Sequence, residues 1–172
     1  MPIFSARKVI IGILATITMD LLSGVSFKLG LIAPLSPRLI GRWFASMARG
    51  RLLHSDIGQV APINHEVAIA VPAHYAIGIA LALVYLFASS TLGLLARDPI
   101  AALGFALSTG LLPWVLMFPA MGYGWFGSHG PPGTLLLLSS TVTRCFYGLG
   151  LWLGAWLRRS PLSGPGATRT GT

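Results

Sequence analysis

Two stretches of this chain carry no Asp, Glu, Lys or Arg: Val67 to Ala96 and Pro99 to Thr143. A helix needs about 20 apolar residues to cross a bilayer core about 30 Å thick. The longer stretch therefore suffices for two crossings with a turn between them. A further apolar run opens near Val9, and the last continues to Leu157. The chain is predicted to be all-α, a polytopic membrane protein with four transmembrane helices at about 9–27, 67–90, 100–121 and 134–157.

Composition agrees. Only 9% of the 172 residues are charged, against about 25% in soluble domains. The net charge of +8 sits at the ends of the apolar runs, where basic residues meet lipid headgroups and set topology. No basic patch is interleaved with base-stacking aromatics, which argues against nucleic acid and for the lipid bilayer as partner. Cys145 is the single cysteine, so no internal disulfide forms. Arg7 and Lys8 precede the first run, but no small-residue cleavage site follows, and that run reads as an uncleaved helix. Residues 1–159 form one integral membrane domain. The Ser/Gly/Pro/Thr-rich tail 160–172 is expected to be disordered.

The connection from Lys28 to Glu66 is the longest polar segment. Ser36-Pro37 supplies a helix start. Beyond it, Ile40, Trp43, Phe44 and Met47 share one helical face, while Arg38, Arg42 and Arg49 share the other. This pattern predicts an interfacial amphipathic helix over about 36–53, lying on the membrane or on the ends of the bundle. Positive residues favour the cytoplasm. Arg7, Lys8, Arg97, Arg158, Arg159 and Arg169 fall on one side, predicting both termini cytoplasmic. Lys28, Arg38, Arg42, Arg49 and Arg51 oppose that assignment from the other side.

Ionisable groups at membrane depth are costly and mark partners or function. Asp20, His74 and Arg144 lie in three different predicted helices. At about 1.5 Å rise per residue, Asp20 and His74 both fall roughly 10 Å below the edge of a core about 30 Å thick. Arg144 falls roughly 15 Å below it, and its long side chain reaches back. They predict one intramembrane polar layer. The leading expectation inside it is an Asp20–Arg144 ion pair with His74 hydrogen-bonded nearby; a proton-active or ligand-binding site is the alternative. Arg42, His54, His65 and Glu66 are further polar candidates on the first loop. Their spacing matches no metal signature, so no metal site is assigned; no cofactor is expected. Gly150-x-x-x-Gly154 fits close helix packing, within the bundle or in a homodimer.

The spacing Gly12-x-x-Ala15-Thr16-x-x-Met19-Asp20 resembles the opening of a bacterial membrane family, domain of unknown function 2938. Gly41-Arg42-Trp43, Met47, Gly50, His54, Pro62, Glu66 and His74-Tyr75-x-Ile77-Gly78 extend the resemblance. Pro119-Ala120-Met121-Gly122-x-Gly124 and Phe146-Tyr147-Gly148-Leu149-Gly150-Leu151 complete it, over about Val9 to Leu157. The resemblance implies a four-helix protein of the bacterial inner membrane. Two departures stand out: Ala70-Val71 replaces an expected Gly-Trp, and Arg144 stands where histidine is expected. An arginine is a permanent cation and a poor ligand.

Three function classes compete. Few polar groups and no catalytic constellation favour a non-enzymatic structural or binding role. The polar layer and Pro113/Pro119 motivate a small proton- or solute-coupled transporter. His54, His65, Glu66 and His74 motivate a membrane-embedded enzyme.

Overall fold

In a computed structural model, residues 5–93, 96–131 and 133–157 are described. The helices are α1 (Ala6–Lys28), α2 (Pro37–Ala48), α3 (Glu66–Thr91), α4 (Pro99–Ser108), α5 (Phe118–Ala120) and α6 (Thr134–Leu157). No strand occurs among the described residues. Four segments are long and apolar enough to cross a membrane: α1, α3, Pro99–Ala120 and α6. Large side chains such as Leu21, Val25, Val84, Phe87 and Leu138 are exposed on them. In water such a surface would be an aggregation liability; in a bilayer it is the lipid-facing coat. The predicted tail 160–172 lies outside the described residues.

Small residues set the packing order. A Cβ on Gly12 or Gly78 would strike the facing helix, Gly12 against Ile79 of α3 and Gly78 against Thr16 of α1. Gly150 lies against Ala15 and Gly154 against Ile11, which seats α6 on the other side of α1. Gly148 lies against Leu103 and Ala106 of α4. The small-residue stripe is thus used inside the bundle. Tyr147, fully buried, donates its hydroxyl across to the Gly78 carbonyl. Ile11, Ala15, Tyr85, Ala102, Ala106 and Leu151 fill the core around it.

A second apolar cluster closes the end of the bundle that carries α2. It holds Ile57, Phe118, Met121, Tyr123 and Leu136, with Leu35, Leu39 and Trp43 packed on them. Burial pushes the Tyr123 hydroxyl up from its ordinary pKa, with the charge of Asp56 adding to the shift.

The fold corrects two helix expectations. The amphipathic helix stops at Ala48 rather than running on to residue 53. Gly50 takes a φ of 79°, which turns the chain back, and the Trp43 indole N–H then donates to the Leu52 carbonyl at 3.0 Å. The third crossing keeps its predicted extent, Pro99–Ala120, but not a regular helical ladder. It breaks after Ser108, turns at Thr109–Gly110, and continues as a π-helical segment at Leu112–Met117 before α5. Pro113 and Pro119 have no N–H to give to a regular ladder, so the backbone widens there.

Candidate functional site

The α1 stripe that faces α3 starts with Gly12 and Thr16. Asp20 follows Thr16 by one further helical step of four residues, so its carboxylate emerges on the same side. Asp20 lies eight residues before the end of α1, and His74 eight residues after the start of α3. The two therefore stand at equal depth from the same end. Their side chains meet: His74 Nε2 is 2.9 Å from Asp20 Oδ1, with both side chains about two-fifths exposed.

This geometry corrects the expected ion pair. Asp20 takes His74 as its partner, and Arg144 forms no ion pair among the described residues. The reason lies in the faces. Asp20 continues the α3-facing stripe of α1, whereas α6 packs against Ile11, Ala15 and Thr18 on another face. Arg144 Nε is buried without a hydrogen-bond partner.

All three residues nevertheless border one cavity of about 370 Å³, together with Met19, Ser23, Tyr75, Ser140 and Thr143. A second cavity of about 340 Å³ adjoins it and shares Met19, Ile40, His74, Pro113, Met117 and Arg144. The walls are otherwise largely apolar. Volumes of this size are in the range of small-ligand sites. The chain between α1 and α2 is held over the first cavity: the Ala33 N–H donates to Ser139 Oγ at 2.8 Å, which places Pro34 and Leu35 on its wall. Ile40, Trp43 and Phe44 of α2 cover the second. The broken third span contributes Pro113 and Met117 to both.

The first-loop candidates divide. Arg42 is corrected from a solvent-facing residue to a buried one. Its Nε donates to Glu66 Oε1 at 2.7 Å, and its Nη1 donates to the Val60 carbonyl at 2.6 Å and to those of Ile57 and Gly58 at 3.4 Å. Glu66 Oε1 also accepts the Ile63 N–H at 3.1 Å. Arg42 faces inward because Gly41 carries no side chain. A Cβ there would collide with the Glu66 carbonyl oxygen, so α2 rests directly on the start of α3. His65 caps α3 in the left-handed region, with a φ of 64°, and is exposed. His54 donates its backbone N–H to the Ala120 carbonyl at 2.9 Å, and its Nε2 is buried without a partner. Neither histidine joins the Arg42–Glu66 pair by a hydrogen bond or ion pair. Among the described residues no group of three or more His, Cys, Asp or Glu side chains is arranged to hold a metal ion.

Sequence reasoning missed the cavity walls. Pro113 was visible as a helix-breaking residue, but Met117, Ser140 and Ile40 carried no signal beyond their place on an apolar or small-residue face.

The described residues form an all-helical bundle with four helices long and apolar enough to cross a membrane, and a largely apolar cavity bordered by Asp20, His74 and Arg144. The chain belongs to the family described as "Protein of unknown function (DUF2938)", which it matches over residues 9–158. No curated protein and no solved structure matches the chain.

Proposed function

We propose that this is a non-enzymatic binding protein of the bacterial inner membrane, with both termini cytoplasmic, whose ligand occupies the cavity between α1, α3, α6 and the broken third span. The observation that supports it is the placement of Asp20, His74 and Arg144 on the wall of a largely apolar cavity of about 370 Å³. Ionisable groups are retained at membrane depth when they have a partner or a task. Asp20 has His74; Arg144 lines the cavity with a buried, unpartnered Nε. The test is extraction of the protein in mild detergent, followed by native mass spectrometry. The expected result is a co-purifying small molecule on the wild type that is lost from Ser23→Phe, which fills the first cavity. Equal occupancy of both proteins would remove the cavity from consideration.

One observation favours a proton- or solute-coupled carrier as the second reading. The π-helical segment with Pro113 borders both cavities, and interrupted helices line transport sites in many carriers. Proteoliposomes loaded with a pH-sensitive dye test it. Proton flux abolished by Asp20→Asn would favour the carrier; wild-type liposomes as tight as empty ones would leave binding alone.

A further inference from the structure

The cavity's chemistry narrows its occupant. Asp20's carboxylate is engaged by His74 at 2.9 Å. Arg144 is a cation on the wall of both cavities, forms no ion pair among the described residues, and buries an Nε that bonds nothing. Arg144 is half-buried, and a buried donor without a partner is costly, so an anion in the cavity would satisfy the Nε that bonds nothing. The two cavities that share Arg144 are lined mainly by apolar groups such as Met19, Ile40, Leu81 and Met117. One anionic group joined to an apolar body satisfies both halves of this description. The planar guanidinium matches the two oxygens of a carboxylate. Asp20 and His74 are each about two-fifths exposed, and that flank would admit such a molecule from a surrounding bilayer.

On the reading that the cavity is a binding site, we infer that its ligand is a long-chain carboxylate, with the head on Arg144 and the chain in the apolar compartments. Trp43 lines the second cavity and reports its occupancy. The probe is dibromostearate, whose bromines quench tryptophan fluorescence on contact. It is titrated into the full chain in nanodiscs of zwitterionic lipid, beside its methyl ester and beside brominated phosphatidylglycerol. Trp43→Phe supplies the background from the other tryptophans. The expected result is saturable quenching of Trp43 by the acid, with the ester weaker by about tenfold or more, as loss of a charged hydrogen bond requires. Arg144→Gln should erase the preference for the acid over the ester; Arg144→Lys should keep part of it. Met117→Trp, read by displacement of a spin-labelled acid, should block acid and ester alike. Equal binding of acid and ester to the wild type would overturn the carboxylate while leaving a binding cavity in place. Saturable binding of phosphatidylglycerol alone would do the same and move the assignment to a phosphate. Absence of saturable binding by every probe would overturn the binding reading itself.

Discussion

Asp20 and His74 show, at the scale of single residues, how equal distance from one end brings two helices' side chains together. Each lies eight residues from the same end of its helix, and they meet at 2.9 Å. Depth is legible in sequence because rise per residue is fixed. Azimuth is not, since it depends on which neighbour each helix face meets, and that is why Arg144 was matched to the wrong partner. A double-mutant cycle with Asp20→Asn and His74→Gln, read as thermal stability in detergent, should give a coupling of about 0.6 kcal/mol, the usual size within membrane bundles. Exposure of about two-fifths on both side chains keeps it small. The corresponding cycle between Asp20 and Arg144 should be additive within about 0.5 kcal/mol. Coupling larger between Asp20 and Arg144 than between Asp20 and His74 would refute the observed pairing. Arg42 is the opposite case. Its helical face placed it with Arg38 and Arg49, but the absence of a Cβ on Gly41 draws that face onto Glu66. Arg42→Met should lower the melting temperature by several degrees, because Glu66 and the carbonyls of Ile57, Gly58 and Val60 lose their donor. Arg42→Met with Glu66→Leu should lose less than the single change. A double variant less stable than Arg42→Met would show that the pair is not the reason.

Among the elements, α2 and the broken third span carry the difference between pattern and structure. The periodicity of Ile40, Trp43, Phe44 and Met47 correctly signals an amphipathic helix, and Ser36-Pro37 marks its start. Hydrophobic pattern alone cannot say whether an apolar face meets lipid or protein. Here Ile40, Trp43 and Phe44 line the cavities, and Trp43 also packs on the cluster around Ile57 and Phe118. Pro113 and Pro119 announce a break but not its form, because a missing N–H is compatible with a kink, a turn or a π-helical segment. A cysteine scan on a Cys145→Ser background tests the α2 placement. Arg38→Cys and Arg49→Cys should react readily with a charged maleimide, since both positions are exposed. Cysteines replacing Ile40 and Arg42 should be protected. Comparable labelling of all four would mean that α2 is not docked on the bundle.

For the whole molecule, the four apolar spans were legible from the absence of charge, and their order was not. Packing places α3 and α6 on two faces of α1 and α4 beyond α6, as the glycine contacts dictate. Gly148, Gly150 and Gly154 look alike in the sequence, but Gly148 faces α4 whereas Gly150 and Gly154 face α1. The proposed orientation also gains from the fold. In the sequence, five basic residues on the α2 side opposed it. Arg42 is now accounted for as a buried partner of Glu66, whereas Lys28, Arg38, Arg49 and Arg51 remain exposed at that end. The opposite end carries Arg7, Lys8 and Arg97, with Arg158, Arg159 and Arg169 following in sequence. Basic residues close to span ends bias orientation, and the proposed orientation places the end with the larger number of them in the cytoplasm. The turn between the last two spans, with Trp125 and Ser128 exposed and no Lys or Arg, then faces away from the cytoplasm. On the Cys145→Ser background, Ser55→Cys and Ser128→Cys should be labelled in intact cells by a maleimide that cannot cross the inner membrane. Ser5→Cys and Arg97→Cys should be labelled only after lysis. The reverse pattern would invert the molecule and place the mouth of the cavity on the cytoplasmic half of the bilayer. Labelling of Ser5→Cys and Arg97→Cys from opposite sides would be incompatible with the bundle, because α1 and α3 then could not both cross beside α6.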